Sequence, residues 1–254
     1  MNEIGQQSDL RLAIEINPAE LKHHNHVDPH KRASGLSDII LGGQDGIVNV
    51  LGVILGVAAA TSDTWVVLVA GLAATFAESV SMAAVAYTSR QADAAFYEAE
   101  REREYRHLEH APNLETEEIR KIYSAKGFTG DLLDKIVDTI TRNKDVWVAV
   151  MMAEEHGLVP VDRKTALKSA LVVGVAAIIG SLIPLIPFVL LPVSISMVIS
   201  ILITALVLFG VGFYKAKTMV GHPGKSGLEM ALIGTISALV GYAVGALLKV
   251  STTP

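Results

Sequence analysis

Apolar residues in this chain collect into five blocks, at roughly 38–61, 65–89, 166–190, 193–214 and 227–248. A helix rises 1.5 Å per residue, so each block covers the ~30 Å hydrocarbon core of a bilayer. The pattern predicts five transmembrane helices. Between the second and third blocks the pattern changes. Residues 90–165 carry many charges of both signs and divide into shorter helical runs: 91–110, Glu115–Ser124, Asp131–Asn143 and Asp145–His156. Ala111-Pro112-Asn113 predicts a turn, Lys126-Gly127 a helix end, and Gly157 with Pro160 the close of the last run. The fold class is therefore an all-α integral membrane protein with five transmembrane helices and a three- to four-helix insertion between helices 2 and 3. Expected boundaries are a tail over 1–35, helices 1 and 2 over 36–90, the insertion over 91–162, and helices 3 to 5 over 163–254.

Composition agrees, with 51% of residues hydrophobic, too many for an ordinary soluble domain of 254 residues. The net charge of −5 hides a concentration of acids in residues 93–162. There are no cysteines, which excludes disulfides and thiolate metal sites. No nucleic-acid partner is expected. Residues 1–36 are polar and lack the apolar core of a signal peptide, so the first span is expected to direct its own insertion. The tail carries His23, His24, His26 and His30, which fit either a metal-binding cluster or a solvated segment.

Lys and Arg are unevenly distributed among the loops. Lys31 and Arg32 precede span one; Arg163, Lys164 and Lys168 lead into span three; Lys215, Lys217 and Lys225 lie between spans four and five. The loop Thr61-Ser62-Asp63-Thr64 and the connection Pro184–Ser194 have none, and only Lys249 falls on that side. The positive-inside rule puts the N-terminus, the insertion and the 4–5 loop in the cytosol, and the C-terminus on the other side. Trp65 and Tyr87 stand where interfacial aromatics are expected. The pairs Gly42/Gly46, Gly52/Gly56 and Gly241/Gly245 have the spacing of close helix contacts, within a chain or across a dimer.

Two acids interrupt the apolar blocks. Asp45 lies in span one and Glu78 in span two, where an ionisable group costs about 2.5–3.5 kcal/mol to insert. Asp38, Asp45 and Asn49 share one helix face, and Thr75, Glu78 and Met82 share another. Counting from the cytosolic ends, Asp45 and Glu78 both lie about 12–13 Å deep. Two carboxylates, an amide and a thioether at one depth suit a divalent transition metal, and the Met sulfur shifts preference toward ions such as Fe(II). The acids also suit proton carriage, because burial raises a carboxyl pKa. A third reading leaves each acid neutral and hydrogen-bonded to a neighbouring helix.

In the insertion, Glu100, Glu104 and His107 share a face, Glu115 and Glu118 share a face of the next helix, and Met151 and Glu155 share a face of the last. One reading is a solvated helix stitched by Glu98–Arg101, Glu100–Arg103 and Glu102–Arg106 pairs. The other has the helices folding together so that the carboxylates, His107 and Met151 bind metal. Glu104-Tyr-Arg-His107 is also a Glu-x-x-His, the motif of di-iron bundles. Those need two such motifs on separate helices, and the insertion offers one. A membrane-anchored ferroxidase and a metal sensor using the acidic helices remain alternatives.

Together these segments resemble the vacuolar iron transporter family from about Ser34 to Leu248. The matching stretches are Asp38-Ile-Ile-Leu-Gly-Gly-Gln-Asp-Gly46, Ala77-Glu-Ser-Val-Ser-Met-Ala83, Trp147 through Met151-Met152 to Glu155 with Gly157-Leu158, and Ile183-Pro-Leu-Ile-Pro-Phe188. The resemblance implies a homodimer with five spans per subunit and a path at the dimer interface. It implies a transporter rather than an enzyme. The activity would be proton-coupled export of Fe(II) from the cytosol, with Mn, Co or Zn as further ions, and no prosthetic group. The membrane would be vacuolar in a eukaryote and the cell membrane in a prokaryote. Asp45 and Met82 match transport-path ligands, to which the reading of the residues adds Asn49 and Glu78. Glu100, Glu104, Glu115, Glu118, Met151 and Glu155 match ligands of a cytosolic metal-binding domain. Two positions depart from the family. Ala74 stands where plant-type members place a membrane carboxylate, with Glu78 one turn further on, and His107 stands where a Glu is usual.

Overall fold

The computed structural model describes residues 35–218 and 221–248, and everything described is helix or short connection. The four tail histidines lie outside the described residues. Helix α1 spans Leu36–Thr61 and α2 spans Thr64–His110. The insertion continues as α3 (Pro112–Ala125), α4 (Gly130–Thr141) and α5 (Lys144–Glu154). Then come α6 (Lys164–Leu182), a 3₁₀ turn Ile183–Leu185, the short α7 (Ile186–Leu190), α8 (Val193–Thr218) and α9 (Pro223–Leu247). Five segments are long and apolar enough to cross a membrane: α1, α2, α6 with α7, α8 and α9.

Helix α2 is longer than the apolar pattern predicts. The expected segments 65–89 and 91–110 are one helix of 47 residues, about 70 Å long. After Gly71 it contains no glycine or proline, so nothing in the backbone ends it where the apolar residues stop. At its start, Asp63 accepts from the N–H groups of Trp65 (2.7 Å) and Val66 (3.1 Å), a cap worth about 1 kcal/mol. The other helices of the insertion pack back on its far half. Their core joins Leu108 of α2 to Ile119, Val137, Ile140, Val148, Met151 and Met152.

Helix α1 is the hub of the membrane part and packs on α2, α6, α8 and α9. Val50, Leu51, Ile54 and Leu55 are fully buried against Val67, Leu185, Phe188 and Ala238. The glycine pairs prove to be contacts within the chain. Gly42 and Gly46 meet the backbone of Val173 and Ala177 on α6, and Gly52 and Gly56 meet Gly241 and Gly245 on α9. Burial of apolar area adds little between helices in lipid, so such backbone approach carries the packing.

The third span breaks near its end. Pro184 and Pro187 each lack a backbone donor. Side chains from α8 tie down the broken segment: Ser200 donates to the Pro184 carbonyl at 2.7 Å and Ser196 to that of Pro187 at 3.0 Å. This satisfies irregular backbone where no lipid can.

Candidate functional site

The first constellation lies within the membrane part. Asn49 Nδ2 of α1 donates to Glu78 Oε1 of α2, and the Asp45 carboxylate is near enough to interact with that of Glu78. The two helices are antiparallel neighbours, so the similar depths expected from residue counting are matched by direct contact. Asp45 and Glu78 are half-buried and Asn49 is exposed in the single chain. Met82 lies one turn beyond Glu78 and is half-buried. Ser81 and Val85, three and seven positions beyond Glu78 and so on the same face of α2, are exposed, whereas Thr75 on that face is buried. Asp38 is engaged elsewhere. It accepts from Ser169 Oγ of α6 at 2.7 Å and lies 3.6 Å from Arg90, which ties α1, α2 and α6 together at the end that leads into the insertion.

The second constellation lies in the insertion. Glu104 on α2 and Glu115 on α3 are 2% and 3% exposed, so both carboxylates are out of solvent. His107 Nδ1 stands 3.4 Å from Glu115 Oε1 and 3.7 Å from Glu104 Oε1. These three side chains bring one ligand atom each within 4.8 Å of one another, close enough to share one metal ion. Neither Glu104 Oε2 nor Glu115 Oε2 has a hydrogen-bond partner among the described residues. Two acids with unpaired buried oxygens repel each other and lose hydration. A divalent cation placed between them would satisfy both deficits at once.

Glu118 and Glu155 are close enough to act electrostatically on this group. Burial, then the charges of Glu118, Glu104 and Glu155, push the Glu115 carboxyl up to about 7. Burial and Glu118 likewise raise Glu155. Glu100 is paired to Arg103 at 2.7 Å, and Glu98–Arg101 is the second stitch, at 3.2 Å. The expected Glu102–Arg106 pair is not formed. Met151 is fully buried in the apolar core of the insertion. The helix therefore carries two of the three expected ion-pair stitches and also brings its acids next to those of α3 and the end of α5.

Sequence reading missed His156. Its Nε2 lies 3.0 Å from Glu104 Oε1, across 52 positions of chain. Burial pulls its pKa down, but the hydrogen bond and charge of Glu104 outweigh this and raise it. The available signal was its adjacency to Glu155 at a glycine-closed helix end.

These shifts share one sign. A carboxyl such as Glu115, raised from 4.5 toward 7 on folding, favours the fold below pH 4.5, and that support is lost as pH rises through 7. Without metal, the insertion is expected to melt at lower temperature at pH 8 than at pH 5. Added Co(II) should restore it at pH 8 in the wild type and much less in Glu115→Gln. The fluorescence of buried Trp147, read in a Trp65→Phe background, reports this. A melt indifferent to Co(II) would remove the cluster as a metal site.

Residues 36–246 match the family model described as the VIT family. The chain is similar to vacuolar iron transporter 1 of Eucalyptus grandis, 30% identical over 232 residues that cover 89% of this chain and 93% of that protein. It is also 30% identical to vacuolar iron transporter 1 of Arabidopsis thaliana over 234 residues, 91% of this chain and 93% of the relative. With the vacuolar iron transporter of Toxoplasma gondii it shares 31% over 237 residues, 89% and 78% of the two chains. A match spanning all five apolar helices and the insertion means that this multi-pass membrane protein belongs to the VIT family.

Proposed function

We propose that the protein carries Fe(II) out of the cytosol, into a vacuole or out of the cell, in exchange for protons. The observation that carries this reading is the contact of Asp45, Asn49 and Glu78 on a face of α1 and α2 that the single chain leaves partly uncovered. Acids at that depth are costly against lipid and are placed against protein or water. A second copy meeting the first across this face would cover them and bring two sets of ligands to one axis. The path then holds Asp45, Asn49 and Glu78, with Met82 one turn toward the cytosol. Carboxylate oxygen with thioether sulfur favours Fe(II) over Mg or Ca, and admits Mn, Co and Zn.

In this reading the insertion faces the cytosol and serves as the collecting site. The Glu104–His107–Glu115 group, with Glu118 and Glu155 beside it, takes the ion from solution and raises its concentration near the path. The loop distribution of Lys and Arg supports that orientation. Protons move the other way, carried by the membrane carboxylates Asp45 and Glu78.

The test is Fe(II) flux into liposomes that hold the purified protein, with and without an imposed pH gradient. Flux stimulated by the gradient supports the exchanger. Oxygen consumption with Fe(II) and no flux would favour a ferroxidase. Tight metal binding with neither would leave a sensor.

A further inference from the structure

A carboxylate that takes a metal ion is held in its orientation by an outer hydrogen bond. For Glu104 the structure supplies it. Helix α5 ends at Glu154, and the chain turns through Gly157 with φ +64°, a left-handed conformation that suits glycine. The N–H of Glu155 bonds to the Met151 carbonyl at 3.0 Å and that of Leu158 to Met152 at 2.8 Å. Met151 and Met152 are themselves fully buried. The backbone of His156 is thus fixed from both sides, and its imidazole reaches Glu104 Oε1 at 3.0 Å with its side chain only 30% exposed. A carboxylate oxygen accepts, so the imidazole Nε2–H donates. One oxygen of Glu104 is taken by His156 while the other, Oε2, is buried without a partner.

We propose that His156 is a positioning residue of the metal-collecting site: its hydrogen bond to Glu104 Oε1 fixes the orientation in which that carboxylate, beside His107, meets the incoming divalent cation. It couples the end of α5 to a ligand on α2 and acts through Glu104. The arrangement follows a general feature of metal sites, in which an outer hydrogen bond fixes a ligand's orientation and its loss costs about 10–100-fold in affinity. His107 differs, because its Nδ1 lies between two carboxylates and its side chain is more than half as exposed again as that of His156. This inference rests on the reading of the cluster as a cation site.

The experiment measures Co(II) binding to the purified full-length protein by equilibrium dialysis. The variants are His156→Ala, His156→Gln, Glu104→Gln and the double variant His156→Ala with Glu104→Gln. His156→Ala is expected to weaken binding roughly 10–100-fold. His156→Gln should restore most of the affinity, since its side-chain amide donates from a similar place but is a poor metal ligand. In the Glu104→Gln background, His156→Ala should add little. Three results would overturn the proposal. Unchanged affinity in His156→Ala would show that Glu104 needs no such partner. An unrescued loss in His156→Gln would make the imidazole a direct ligand. A fully additive loss in the double variant would show that His156 does not act through Glu104. Wild-type affinity in Glu104→Gln is a separate outcome, because it removes the cation-site reading itself and the inference with it.

Discussion

Asp45→Asn is expected to bring Fe(II) flux in proteoliposomes down to that of empty vesicles, while insertion and assembly are unchanged. The substitution keeps the shape of the side chain and its capacity to hydrogen-bond. It removes only the negative charge and the ability to hold a proton. In a low-dielectric path those are the two properties a metal–proton exchanger uses. The carboxylate of Glu78 then has no acidic neighbour, so the pair is left with a single charge for a divalent cargo. Even outer partners of a metal ligand cost about 10–100-fold when removed, and a direct ligand should cost at least as much. Flux is measured with Fe(II) outside and an imposed pH gradient, beside a light-scattering check that the variant is still dispersed. Wild-type flux in Asp45→Asn would take this residue out of the mechanism.

Gly245→Val is expected to be the most destabilising single change in the membrane part. A Cβ at Gly245 would fall on the carbonyl oxygen of Gly56, and one at Gly241 on that of Gly52. These are backbone atoms of α1, which also packs on α6 through Gly42 and Gly46 and so cannot shift away from α9 freely. Overpacking of a well-filled interior costs about 1–3 kcal/mol and sometimes more. A clash with backbone belongs at the upper end. For a chain of this length that corresponds to a fall in melting temperature of roughly 5–10 °C. Gly210→Val is the control, because nothing stands within 4 Å of a Cβ there. Melting in detergent, followed by circular dichroism, should separate the two variants clearly. Equal and small effects would show that α1 and α9 are not held by glycine contact.

Much of the architecture was legible along the chain. Five apolar runs of bilayer length can satisfy their backbone in lipid only as helices, so their number and type follow from composition and length. Helical spacing also placed Glu104 beside His107, and Glu115 beside Glu118, because side chains three and four apart share a face in any regular helix. Asp45 and Glu78 stood out because few charged groups survive among such neighbours.

Contacts between distant segments were not legible in this way. The spacing of Gly52 and Gly56 announces a close helix contact, yet a partner helix is chosen by the packing of the whole bundle, and α9 was one of several candidates. The end of α2 was misread because loss of apolar character marks the end of a lipid-exposed surface and not the end of a helix. Without glycine or proline the backbone runs on for a further 20 or so residues. His156 was missed for a related reason. Its chemistry depends on Glu104, which is 52 positions away, and no helical period spans that distance. By itself the sequence determined the class of protein, the helices and which groups are costly where they stand. The tertiary structure decided which of those groups meet: Asn49 with Glu78, Glu104 with Glu115 and His156, and glycine with glycine. Helix periodicity is a local property of a few turns, whereas the pairing of faces is set by how all the helices fill space together.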